Sequence, residues 1–146
     1  MEKRTDQARL QAWVFLALIH GGHLVYDPTA MEPTIEFTTV PAFGSYLNLK
    51  GIARHVDPES VRVAVYIRVH GGWWNKPYWD APTTELASEG TFSVNIATGG
   101  NDEQATEIAA FLIPAELYPP AMRGEPELSA ELFEKALAHA GATRSP

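Results

Sequence analysis

The sequence predicts an all-β fold, an antiparallel sandwich, on three observations. Residues 61–69 alternate without a break, Val61, Val63, Val65, Ile67 and Val69 pointing one way and Arg62, Ala64, Tyr66 and Arg68 the other. A period of two held for that long belongs to a strand and not to a helix. Thr34 to Val40 is a second β-branched, alternating run, bounded by Pro33 and Pro41. Turn chemistry then recurs about every ten residues along the chain, the spacing of a sandwich of short strands.

The elements follow in order. Tyr46 to Val56 supplies a strand, with Gly51 as a bulge or a point of close backbone approach. Asp57-Pro58-Glu59-Ser60 is a turn, because Pro58 fixes φ and the Asp57 side chain can bond nearby backbone. The nine-residue strand comes next, one face entering a core and the other looking outward or onto a neighbouring segment. Gly71-Gly72, an aromatic segment and Asp80-Ala81-Pro82 succeed it. Thr83–Leu86 and Thr91–Ile96 read as a hairpin whose turn places Gly90 in the left-handed region. Thr98 to Asp102 is a loop. Ala105 to Ile113 has mixed propensity and is assigned as a strand because six or seven short strands already argue for a sandwich of immunoglobulin-like type. Beyond Pro114 the chain is irregular until Ser129, which can cap a short helix running toward Leu137.

One domain accommodates 146 residues of which 45% are hydrophobic and 20% charged. We divide it into a leader, residues 1–30, and a sandwich module, residues 31–145. In the leader Lys3, Arg4 and Arg9 precede the apolar run Ala12–Ile19. That layout suits a secretory signal, and equally an amphipathic helix at the domain edge. The run falls short of the roughly 20 apolar residues that span a bilayer. A signal implies a secreted or cell-surface protein.

Composition narrows the function. With 11 Lys and Arg against 18 Asp and Glu, the formal charge is −7, which disfavours nucleic acid, whose phosphates need clustered cations. The absence of cysteine removes disulfides, thiolate metal sites and a cysteine nucleophile. The five histidines form no metal-ligand motif, and no phosphate loop, nucleophile elbow or zincin helix occurs. Asn101-Asp102-Glu103 could contribute to a calcium site but reads better as a polar turn. Carboxylates such as Asp57 and Glu59 sit in turns and not as a glycosidase pair. No cofactor or metal is expected, nor is catalysis.

What stands out is Trp73-Trp74-Asn75-Lys76-Pro77-Tyr78-Trp79, three of the four tryptophans within seven residues. Apolar C–H faces of a sugar ring lie well on the electron-rich face of an indole, leaving the hydroxyls free to bond. The candidate carbohydrate-binding residues are therefore Trp73, Trp74, Lys76, Tyr78 and Trp79, with Asn75 and Asp80 as polar neighbours for hydroxyls. Adjacent strand residues face opposite ways, so one of Trp73 and Trp74 is expected in the core.

The segments Gly51–Pro58, Val63–Ile67, Trp73–Pro77, Gly90–Phe92, Thr98–Asp102 and Ile108–Pro114 together resemble a bacterial module of secreted glycoside hydrolases and cell-surface proteins. That module is similar to the small β-sandwich carbohydrate-binding modules that recognise β-glucans and xyloglucan. The likeness runs from Glu32 to Arg144, and its most specific parts are Trp-Trp-x-Lys-Pro and Thr-Gly-Gly-x-Asp. It implies a non-catalytic role, polysaccharide as the partner, a glycoside hydrolase encoded or fused elsewhere, and Trp73, Trp74, Lys76 and Trp79 at or near the ligand. It also implies a closing strand over Ala136–Ala140, where local propensity favours helix; sheet pairing is placed ahead. The alternative function is an immunoglobulin-like structural or protein-interaction domain whose tryptophans serve the core or a partner protein. An enzyme is the weakest reading, for want of a placed acid/base pair or nucleophile.

Overall fold

The computed structural model describes residues 31–146, so the leader reading lies outside the described residues. The described residues form eight strands and one α-helix: β1 (Thr34–Thr39), β2 (Leu49–Arg54), β3 (Val61–Val69), β4 (Gly72–Lys76), β5 (Thr91–Val94), β6 (Glu107–Pro114), β7 (Arg123–Glu125), α1 (Ala130–Lys135) and β8 (Ala138–Thr143). They form two antiparallel sheets, ordered β1-β2-β5 and β7-β4-β3-β6-β8. The chain crosses from one sheet to the other after β2 and again between β4 and β6, the Greek-key route of an immunoglobulin-like sandwich. No helix among the described residues is long and apolar enough to cross a membrane.

The alternation of β3 translates into burial on both faces. Val61, Val63, Val65, Ile67 and Val69 enter the core between the sheets with Leu49, Phe92, Val94, Ile96, Ile108 and Leu112. The opposite face, Ala64 and Tyr66, is also buried, because residues 115–137 fold back across the larger sheet as a third layer. Phe111, Ile113, Trp73, Met122 and Leu132 complete this second core. The Tyr66 phenol meets the ring of Phe111 edge-on at 6.0 Å and donates to the Pro120 carbonyl at 2.7 Å. A hydroxyl so buried must find an acceptor, and this one ties the third layer to the sheet. Burial also pushes the phenol's pKa far above its ordinary value.

Two sequence expectations need correction. Residues 83–86 do not form a hairpin with β5. Thr84 instead exchanges backbone hydrogen bonds with Val63 of β3, at 2.8 and 2.9 Å, while β5 pairs with β2. Gly90 does adopt φ +89°, closing a tight turn through its N–H to the Ala87 carbonyl at 2.8 Å. The C-terminal segment divides the two readings between them. Ser129 caps α1 by accepting from the Glu131 N–H, the helix ends at Lys135, and Ala138–Thr143 closes the sheet beside β6. Over Ala138–Thr143, pairing with β6 overrides the helix propensity of the segment.

Gly51 is where the smaller sheet depends on a missing side chain. A Cβ there would sit 2.3 Å from the Phe92 ring and 2.5 Å from the Glu36 carbonyl oxygen. Phe92, directly opposite Gly51 on β5, occupies that space. Gly51→Ala is therefore expected to cost about 1–3 kcal/mol in urea unfolding, as overpacking does. Gly99→Ala, whose Cβ would meet nothing within 4 Å, should stay within about 0.5 kcal/mol of the parent.

Candidate functional site

The two sheets are unequal, and this creates the site. With β1 lying along β8 on one side, three strands face five and leave β4 and β7 overhanging on the other. On β4, Trp73 and Asn75 share the outer face with their opposite numbers Arg68 and Tyr66, while Trp74 and Lys76 share the inner face with Ile67 and Val65. Trp73 is thereby buried in the second core, and Trp74 emerges 41% exposed in the overhang.

The register of β4 explains the loop that follows. Continued without interruption, it would bring Tyr78 opposite Val63; Thr84 stands there instead. Residues 77–83 are thus extruded from the sheet edge between two fixed points. The Lys76–Pro77 peptide is cis. The loop closes on itself where the Ala81 N–H meets the Tyr78 carbonyl at 3.1 Å, so that Trp79 and Asp80 occupy the centre of a four-residue turn. Tyr78 and Trp79 are 53% and 67% exposed in consequence.

Overhang and loop enclose an open cleft of about 590 Å³, lined by Trp74, Lys76, Tyr78, Trp79, Asp102 and Arg123 together with Asn75, Pro77, Thr98 and Met122. Of the five residues expected to bind, the structure brings four to this cleft and sends Trp73 to the core. The polar roles differ from expectation. The Asn75 amide is turned inward, donating to the Pro120 carbonyl (3.2 Å) and accepting from the Met122 N–H (2.5 Å). It shapes the cleft wall by tying β4 to the segment at Pro120–Met122. Lys76 is 8% exposed; its ammonium forms an ion pair with Asp102 and donates to Thr98 Oγ1 at 2.9 Å. Asp102 Oδ2 further accepts the N–H groups of Thr98 (3.1 Å) and Gly99 (3.0 Å). Lys76 is a structural cation before it is a ligand contact.

Sequence reasoning missed Arg123. It lies directly across from Trp74 on β7, and its guanidinium stands 5.2 Å from the Trp79 ring centroid, within cation–π range. Nothing local announces it, since it arrives from 44 positions beyond Trp79 through the irregular segment after Pro114. Asp102 was legible as part of a polar turn and as the end of the Thr-Gly-Gly-x-Asp segment, but not as the partner of Lys76. It begins a short 3-10 turn, Asp102–Gln104, in which it is the buried residue. A buried lysine requires a carboxylate, but sequence order does not say which one. Among the described residues no group of three or more His, Asp or Glu is placed to hold a metal ion.

Comparison of the chain with protein-family models, with curated proteins and with solved structures found no match.

Removing one member of a buried ion pair strands the other. Lys76→Met and Asp102→Ala are each expected to lower unfolding free energy by about 3–5 kcal/mol. The double variant should recover part of that loss, which a double-mutant cycle in urea would measure.

Proposed function

We propose that this protein is a non-catalytic carbohydrate-binding module, which holds a β-linked polysaccharide such as β-glucan or xyloglucan in the cleft beside β4. The observation that carries the reading is the convergence of three exposed aromatics, Trp74, Tyr78 and Trp79, on one open groove at a sheet edge. Three aromatic side chains of this size rarely remain 41–67% exposed together without a partner. Sugar rings suit them, because stacking removes apolar C–H surface from water while the hydroxyls stay solvated. An open groove, unlike a closed cavity, admits the interior of a long chain.

A non-catalytic role agrees with the cleft's acid content. Glycoside hydrolysis generally requires two carboxyl groups flanking the scissile bond. Asp102 is the one carboxylate in the lining, and it is engaged by Lys76 and two backbone amides. On this reading the protein works outside the cell or at its surface, holding a partner glycoside hydrolase near polymeric substrate.

Native gels containing soluble β-glucan or xyloglucan test the proposal. The protein should be retarded, and Trp79→Ala should abolish retardation while leaving the thermal midpoint within about 2 °C, as expected of an exposed side chain. Trp73→Ala should lower the midpoint sharply, since it empties a core position worth about 3–5 kcal/mol. Unaltered mobility across a polysaccharide panel rejects the proposal. A Trp79→Ala variant that loses stability would favour the structural or protein-interaction reading instead.

A further inference from the structure

We infer that the cleft selects an acidic β-linked glycan, one bearing uronic-acid carboxylates, and that Arg123 is the residue that recognises the carboxylate; this rests on the carbohydrate-binding reading above. The chain as a whole carries −7, yet the cleft lining holds two cations, Lys76 and Arg123, against a single carboxylate, Asp102. Lys76 and Asp102 neutralise each other. The guanidinium of Arg123 is then the surplus charge, and among the described residues no ion pair or side-chain hydrogen bond satisfies it. The nearest acid in sequence, Glu125, directs both carboxylate oxygens at the Arg123 backbone N–H, at 2.9 and 3.1 Å. Asp80, at the tip of the loop, lies outside the lining.

The position of the guanidinium fits recognition of a planar anion. A guanidinium held over an indole is desolvated on one face and keeps its N–H groups directed sideways, where they can meet a carboxylate in a two-point fork. Trp74, directly across from Arg123 on the neighbouring strand, and Tyr78 supply the apolar surface on which the sugar ring carrying that carboxylate would lie. A neutral glycan would leave the fork unpaired. An acidic polymer is repelled by most of this protein's surface, so the contrast between cleft and surroundings also orients its approach.

Matched oligosaccharides decide the question: β-1,4-linked glucose oligomers and the same oligomers oxidised at C6 to glucuronate, titrated into the full chain by calorimetry. The backbone, linkage and ring are identical and only the carboxylate differs. The oxidised oligomer is expected to bind about ten-fold tighter at low salt, the effect of one charge-assisted fork, with the ratio shrinking as ionic strength rises. Arg123→Gln should bring the ratio to about one, and Arg123→Lys, which keeps charge but not the fork, should give an intermediate value. Equal or weaker binding of the oxidised oligomer by the parent protein overturns the inference while leaving the carbohydrate reading intact. Binding of neither oligomer, together with unaltered mobility across the polysaccharide gels, overturns both. An undiminished ratio in Arg123→Gln assigns the carboxylate to another cation and overturns the role of Arg123.

Discussion

The ion pair between Lys76 and Asp102 is the constraint on which the cleft depends. Taking both charges out of water is costly, and mutual attraction alone seldom offsets it. Here further hydrogen bonds support the pair: Thr98 Oγ1 accepts from the ammonium, and the Thr98 and Gly99 amides donate to the carboxylate. The pair pins the β5–β6 loop to the last residue of β4. Arg144 pins the same loop from the far side. Its guanidinium donates to the carbonyls of Ala105, Pro41 and Ala42 at 3.0–3.2 Å and lies 3.4–3.5 Å from those of Glu103 and Asp102. Burial pulls the Arg144 pKa down from its ordinary value, and backbone carbonyls are the guanidinium's partners. Two buried cations therefore immobilise one loop, and that loop is a wall of the site.

Under the proposed function, a wall fixed in this way would lower the cost of binding, because side chains and loops already ordered lose little freedom when a ligand arrives. The third layer acts in the same sense on the opposite side. Asn75 and Tyr66 both donate to the Pro120 carbonyl, and Asn75 also holds the Met122 amide, which sets the height at which β7 begins. Gly124 then has to pass beneath Trp74: a Cβ there would approach the indole to 3.2 Å, and one on Gly72 would come within 2.7 Å of Gly124 itself. Close approach of two glycines brings β7 near enough for Arg123 to share a face with Trp74.

Most of the sandwich was legible because alternation is a local signal. The strands over 34–39 and 61–69 and the turn at 57–60 follow from side-chain period and proline placement, whereas the strand at 107–114 followed from the sandwich the other strands implied and not from its own mixed propensity. The opposite fates of Trp73 and Trp74 follow from the same rule applied to neighbouring residues. Three features were not legible, and each is non-local. That the second face of β3 is covered depends on residues 115–137, whose irregular sequence names no target. The failed hairpin at 83–86 turns on competition between two edges, β3 and β5, which the segment's own alternation does not rank. The ionic roles of Lys76 and Arg123 depend on partners 26 and 44 residues away, Asp102 for the one and Trp79 for the other. Lys76 was read as a ligand contact and Arg123 was not singled out at all.

The extruded loop accounts for how a stable sandwich can carry so much exposed aromatic surface. An edge strand normally loses pairing when residues are inserted, since a slip of one position reverses every side chain. Here Lys76 is held by its ion pair and Thr84 by two backbone bonds to Val63, and the residues between them contribute nothing to the ladder of β3. The register of the sheet is thus insensitive to what occupies positions 78–80. Under the proposed function, Tyr78 and Trp79 are free to serve ligand contact, while Val63, Val65 and Ile67 serve the core. Trp74 is the one aromatic that belongs to both sets: its backbone is in the ladder and its indole forms the cleft floor over Gly124. Under the proposed carbohydrate-binding function, changes in the loop would alter affinity without loss of fold, whereas a change at Trp74 would register in both stability and affinity.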